Sequence, residues 1–339
     1  MPPIADIYRF LSKLTVVKIW NAVMLVLSFY WMRLTGQIKI WGQPMTLSVE
    51  PTTACNLRCP ECPSGLRSFT RPTGNIKDNH YRHVISQLKD RLIYLIFYFQ
   101  GEPFIHPDFL SMVCHAHEQG LYTITSTNGH FLHDDLARQT VESGLDRLII
   151  SVDGTTQKVY EQYRKSGNLE QVLDGARNII KWKKKLKSSS PQVIFQMLVV
   201  RPNEHQIDEL KVLAKQVGVD QVKLKTAQIY DYEQGHELIP TIDRYSRYIQ
   251  KSDGSYRTKH SLDNACWKMW HSSLVTWDGR VVPCCFDKDA THELGSTKDQ
   301  SFADIWRGEK YRAFRSQIQT GRDQIDICTN CSEGCKVFY

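Results

Sequence analysis

The chain has 339 residues, 41% of them hydrophobic and 23% charged, which excludes a disordered polymer and allows a single barrel with an appendage or two ordinary domains. A net charge of +7 is modest and spread along the chain, and its densest basic run, residues 181–187, reads as a solvated helix end, so no nucleic-acid partner is expected. Nine of the ten cysteines fall in clusters at ligand spacings, which argues against a disulfide framework and for a reducing, cytoplasmic compartment.

Residues 1–44 carry Arg9, Lys13, Lys18, Arg33 and Lys39 against one acid, Asp6, around the uncharged stretch from Ile19 to Met32. That stretch is shorter than the roughly 20 residues a membrane-spanning helix needs. Two readings are open: a helix lying on a membrane surface, anchored by Trp20, Tyr30, Trp31 and the flanking cations, or a helix packed on the barrel or on another subunit. No small-residue cleavage site follows, so no cleavable signal peptide is expected. Because the segment precedes every ligand motif, it is expected to be dispensable for cofactor chemistry.

From residue 45 apolar runs alternate with helix-period segments. Strands are expected over Thr46–Glu50, Leu92–Gln100, Tyr122–Thr127, Arg147–Val152, Gln192–Val200 and Gln221–Lys225, and helices over Asp78–Arg91, Pro107–Gln119, His133–Ser143, Gln157–Lys187 and Glu204–Val217. A full eight-unit barrel usually takes about 250 residues. Six units therefore predict an α/β fold, a partial (β/α)6 barrel over residues 45–255.

Directly after the first strand come Cys55, Cys59 and Cys62 on one short loop. Three thiolates there hold three irons of a four-iron cubane and leave the fourth iron open to an exogenous ligand. Zinc is the alternative, but structural zinc usually draws four ligands from paired knuckles. This Cys-x3-Cys-x2-Cys loop resembles the signature of the radical S-adenosylmethionine (SAM) enzymes. The resemblance implies a 4Fe-4S cluster whose open iron chelates the amino and carboxylate groups of SAM. It further implies reductive cleavage to a 5′-deoxyadenosyl radical and an electron donor such as flavodoxin or ferredoxin. Glu61 departs from the family pattern, which places an adenine-stacking aromatic residue there.

Sites in barrels gather beyond the carboxyl ends of strands. Gly101-Glu102-Pro103 follows the second strand, and the resemblance implies that it holds the SAM amino group. Ser126 and Asn128 end the third strand; Ser151 and Asp153 end the fourth. Their hydroxyl, amide and carboxylate groups suit the polar parts of a cofactor. Asp153 also suits a helix cap. Arg164 stands where related enzymes set an arginine against the SAM carboxylate, a role that its bidentate fork fits.

Residues 256–339 hold Cys266, Cys284, Cys285, Cys328, Cys331 and Cys335. Their spacing resembles the SPASM domain and its shorter twitch relative, which carry auxiliary iron-sulfur clusters. With Tyr339 four residues beyond Cys335, one auxiliary 4Fe-4S cluster on Cys266, Cys284, Cys328 and Cys331 is the economical expectation, with Cys285 and Cys335 as spare thiols. Val275–Pro283 reads as a hairpin turned at Asp278-Gly279 that brings Cys266 and Cys284 together. The expected protein is a radical SAM enzyme abstracting hydrogen from a peptide or a small molecule. A non-catalytic iron-sulfur electron carrier is the alternative of another class.

Overall fold

Parallel strands need a crossover between neighbours, and the strand-helix alternation supplies one each time. In the computed structural model, which describes residues 4–259, 262–331 and 333–334, β1 (Thr46–Val49), β2 (Tyr94–Ile96), β3 (Tyr122–Thr127), β4 (Arg147–Ser151), β5 (Gln192–Val199) and β6 (Gln221–Thr226) pair in parallel and in chain order. Helices α1 (Ile4–Ser12) and α2 (Val16–Thr35) precede them, and a short α3 (Pro63–Leu66) follows the cysteine loop. The crossovers carry α4 (Asp78–Leu88), α5 (Phe109–Glu118), α6 (Asp134–Glu142), α7 (Gln157–Tyr163), α8 (Leu169–Lys185) and α9 (Ile207–Val217).

The single helix expected over Gln157–Lys187 is two helices. Ser166 adopts φ 68°, and Asn168 starts α8 afresh by accepting a bond from the Gln171 amide. Arg164 is thereby left at the end of α7, free to turn toward the barrel mouth.

A small hairpin of β7 (Tyr248–Gln250) and β8 (Tyr256–Thr258) leads to the C-terminal region, which does not stand apart from the barrel. After α10 (Lys268–His271), β9 (Ser272–Val275) pairs in parallel with β1, then antiparallel with β10 (Arg280–Val282), which pairs with β11 (Gly295–Ser296). Among the described residues the result is one nine-stranded sheet, ordered β11-β10-β9-β1-β2-β3-β4-β5-β6. The expected turn forms around Asp278-Gly279, where Gly279 takes φ +89°. Three further helices, α11 (Phe302–Arg307), α12 (Glu309–Gly321) and α13 (Asp326–Thr329), close the region.

Of the two readings left open for residues 1–44, the helix packed on the barrel accounts for one face of the segment. Phe10 of α1 stacks on Tyr94 at 5.1 Å and meets Tyr122 edge-on, plugging the N-terminal end of the barrel. Asp6 is buried there, accepting from Tyr122 Oη at 2.5 Å, Arg147 at 2.7 Å and Arg9 at 3.0 Å. Leu25, Phe29 and Met32 of α2 join the main core, with Phe29 edge-on to Trp267 and Trp270. Lys18 is buried too and donates to the carbonyls of Lys13 and Gly120. The apolar run of α2 has two faces. Its outward face, with Trp20, Val23, Leu27, Tyr30 and Leu34, stays exposed.

Each fully buried side chain of this kind contributes about 1.5–3 kcal/mol. Removing residues 1–44 is therefore expected to strip three core side chains and leave Arg147 without its carboxylate. The truncated chain should lose its cooperative thermal transition or precipitate. Calorimetry showing an unchanged midpoint would contradict this packing account.

Candidate functional site

The cysteine loop is tightly built. Cys62 caps α3, and a Cβ on Gly65 would lie 2.6 Å from the backbone of Cys59, so only glycine lets the helix sit against the loop. Beneath it Arg71 makes a bidentate pair with Glu50, both side chains at most 1% exposed, and the Trp277 amide donates to the same carboxylate. This pair ties β1, the cysteine loop and the β9–β10 hairpin at one point.

Cys55, Cys59 and Cys62 share one wall of a cavity of about 280 Å³ beyond the carboxyl ends of the strands. Each thiol has a polar neighbour: Asn128 Nδ2 at 3.9 Å from Cys55, Arg164 Nη1 at 3.8 Å from Cys59, and Gln100 Oε1 at 3.7 Å from Cys62. Burial pushes the Cys59 thiol up to about 11 and raises Cys55 as well. Ligation must remove these protons, so loading of metal here is coupled to pH. Among the described residues no three His, Cys, Asp or Glu side chains converge as a single metal ion requires. A cubane, which spreads its ligands over separate iron corners, fits the three thiols better.

Of the residues expected to contact SAM, Gly101, Glu102, Ser126, Asn128, Ser151 and Arg164 line this cavity. Pro103 and Asp153 are buried behind it. Gly101 takes φ +74° and would place a Cβ 2.3 Å from the Thr52 carbonyl, so the close approach of these two backbones requires glycine. Asp153 does not cap α7. It accepts from the Leu198 amide and pairs with Arg164, fixing the guanidinium over Cys59. Asn128 donates to Asn56 Oδ1 as well as facing Cys55, so its side chain steadies the cysteine loop.

Glu102 is buried, accepting from Thr127 Oγ1 and the Asn128 amide at 2.7 Å each and from the Phe104 amide at 3.2 Å. Burial outweighs these bonds and pushes its carboxyl up to about 7. We propose that the SAM amino group, neutral when it chelates iron, donates to the ionised carboxylate, so a proton on Glu102 weakens that contact. SAM affinity is then expected to rise as the medium climbs toward pH 7, and more steeply in the unaltered protein than in Glu102→Gln. Equilibrium dialysis that finds the same pH dependence in both proteins would remove Glu102 from amino-group recognition.

In the C-terminal region, Cys266, Cys328 and Cys331 are buried and mutually close, and Cys284 follows strand β10 of the hairpin. Cys335 lies outside the described residues. Cys285 is exposed, 3.5 Å from Lys268 Nζ, which is itself paired with Glu333 at 2.6 Å. Burial pushes Cys328 up to about 12 and Cys331 up to about 11. A fully buried arginine, Arg322, reaches into the group, with Nη2 3.6 Å from Cys331 Sγ and Nη1 2.8 Å from the Ala265 carbonyl. Its charge suits thiolates, and the donor set suits a thiolate-bound cluster.

Several site residues carry no sequence signal of their own. Arg322 and the Arg71–Glu50 pair read as surface charges until the fold buries them. Glu61 does not face the SAM cavity; its carboxylate accepts from the Tyr230 amide at 3.0 Å and anchors the loop laterally. Thr127, which donates to Glu102, was visible only as one member of a polar strand end.

Comparison with known proteins agrees with this geometry. Residues 49–214 match the Radical SAM superfamily, and residues 266–332 match SPASM, an iron-sulfur cluster-binding domain. The tungsten-containing aldehyde ferredoxin oxidoreductase cofactor-modifying protein of Pyrococcus furiosus is 26% identical over 322 residues, covering 84% of this chain and 86% of that protein. BtrN, solved with AdoMet and 2-DOIA, superposes with a TM-score of 0.52 at 19% identity over 86% of this chain and 93% of BtrN. SuiB from Streptococcus suis, solved with precursor peptide SuiA, gives a TM-score of 0.64 at 14% identity over 93% of this chain and 76% of SuiB. At such identities the structural likeness establishes the fold. On the two family matches, the chain belongs to the radical SAM superfamily and carries a C-terminal SPASM domain, with SAM, a SAM-binding 4Fe-4S cluster and an auxiliary cluster as its cofactors.

Proposed function

We propose that the protein abstracts a hydrogen atom from a peptide or protein substrate held over the open mouth of the partial barrel. The observation that carries this reading is the shared cavity wall of Cys55, Cys59, Cys62, Glu102 and Arg164. When bound, the cluster and SAM supply a 5′-deoxyadenosyl radical. The chain's own part is positional: Asp153 holds Arg164, Thr127 and the Asn128 amide hold Glu102, and Asn128 steadies the loop. We assign the first cluster to Cys55, Cys59 and Cys62, and the auxiliary one to Cys266, Cys284, Cys328 and Cys331, which predicts about eight irons per chain.

SuiB's bound precursor peptide supports a peptide substrate, whereas BtrN's 2-DOIA and the cofactor-modifying relative support a second reading, a small molecule. Deuterated candidates of both kinds decide between them. Transfer of deuterium into 5′-deoxyadenosine identifies the class; no transfer from any peptide would sink the preferred reading. A flavodoxin or ferredoxin is the proposed electron donor.

We also propose that the outward face of α1 and α2 rests on a membrane surface. Its support is the row of exposed apolar side chains, Ile4, Tyr8, Val16, Trp20, Leu27 and Leu34, beside the exposed cations Arg33 and Lys39. Among the described residues no single helix is long and apolar enough to cross a membrane. The full chain should float with vesicles containing anionic lipid, and Trp20→Glu with Leu27→Glu should abolish flotation. Flotation unchanged by both substitutions would exclude this face.

A further inference from the structure

Two lysines are left over from the site described so far. Lys223 and Lys225 stand on β6, at the free edge of the sheet. Alternation along the strand sorts its side chains: Val222 and Leu224 pack on the main core, so Gln221, Lys223 and Lys225 face the barrel interior. Register then fixes their neighbours. Lys223 is paired with Gln196 and Lys225 with Leu198, and both of those β5 residues line the cavity that holds the three thiols. Adjacent strands lie about 4.8 Å apart. Lys223 and Lys225 therefore stand one strand beyond residues that line that cavity.

Neither ammonium has a hydrogen-bond or ion-pair partner among the described residues. The acids nearby are engaged elsewhere. Asp6 is shared by Arg147 and Arg9, and Glu333 is held by Lys268. Other cations crowd the same space: Arg247 and Lys225 both bear on Glu333, and burial, then Arg147 and Lys225, hold Lys223 below the usual lysine range. Lys268 and Lys288 act on the thiols of Cys284, Cys285 and Cys62, which accounts for their charge. No thiol accounts for Lys223 and Lys225. Like charges on one strand face repel, and a bound anion relieves that repulsion.

We infer that the substrate carries a carboxylate or phosphate group, and that Lys225, backed by Lys223, binds it beside the SAM cavity. This rests on the reading above that a substrate is held over the barrel mouth. Lys225 supplies a mobile point charge suited to either anion, and Lys223 raises the local potential.

The test is a calorimetric titration of the full chain, loaded with both clusters and SAM, at low ionic strength. Succinate and inorganic phosphate are the probes, with uncharged succinamide as control. Succinate or phosphate should bind, and Lys223→Gln with Lys225→Gln should weaken that binding by about tenfold or more, while Lys225→Arg retains it. The variants' iron content and cluster spectra show whether they are folded. The stronger probe names the source, a carboxylate for succinate and a phosphorylated compound for phosphate. Anion binding that the double substitution leaves unchanged, succinamide binding as well as succinate, or no anion binding at all would overturn the inference. The readout needs no turnover, so a protein that binds anions but makes no 5′-deoxyadenosine contradicts the radical reading alone.

Discussion

Replacing Cys55, Cys59 and Cys62 with alanine is expected to reduce 5′-deoxyadenosine formation to background, whereas replacing Cys266 and Cys284 should leave part of the substrate-independent cleavage of SAM. The asymmetry follows from coordination. On the proposed assignment, three thiols on the barrel loop leave an open iron, while four in the C-terminal region leave none. Only the first group shares its cavity with Glu102 and Arg164. Cys266, Cys328 and Cys331 are buried around Arg322. Turnover of the true substrate should still be lost in the C-terminal variant, because that region borders the mouth where substrate would lie. Iron content near four per chain would show that each variant keeps the other cluster. A C-terminal variant that holds its barrel cluster yet cleaves no SAM would show that the two sites do not act separately.

The largest effect on stability is expected at Arg71. Removing one member of a buried ion pair costs about 3–5 kcal/mol, because the partner's charge is left without compensation. Arg71→Met leaves Glu50 buried against β1 with only the Trp277 amide to receive it. The double variant Arg71→Met with Glu50→Leu should recover much of the loss, since it buries no charge. The pH dependence has a definite sign. Burial raises the Glu50 carboxyl even beside Arg71, and without the guanidinium it rises further. The folded state then binds the proton more tightly than the unfolded chain, so stability falls as pH climbs from about 4.3 through the folded value. Denaturant melts at pH 5 and pH 8 should show the larger deficit at pH 8. An equal deficit at both would mean that the pair contributes packing rather than charge.

Both expectations depend on contacts that sequence alone did not disclose, and the reason is physical. The six barrel strands were legible because apolar runs bounded by polar, glycine-closed ends recur after each helix-period segment. Cys55, Cys59 and Cys62 were legible because their spacing is itself the chemistry. The break between α7 and α8 was hidden, since Ser166-Gly167 sits inside a continuous helical period and only the Asn168 cap marks the restart. The parallel pairing of β9 with β1 joins residues at opposite ends of the chain, and no local pattern encodes such a partner. Buried arginines mislead in a different way. Arg315, packed 4.3 Å from Trp306 and 4.2 Å from Tyr311, has the composition of a surface residue and the environment of a core one. The N-terminal segment was half legible: its apolar stretch allowed a packed helix or one lying on a membrane, and which face is buried depends on Trp267 and Trp270, far along the chain.

The most direct measurement is 5′-deoxyadenosine formed from SAM by the anaerobically reconstituted, chemically reduced full chain. With about eight irons bound per chain, the account predicts 5′-deoxyadenosine and methionine in equal amounts, from cleavage of SAM at the open iron beside Glu102 and Arg164. Full iron occupancy with SAM recovered intact would contradict it.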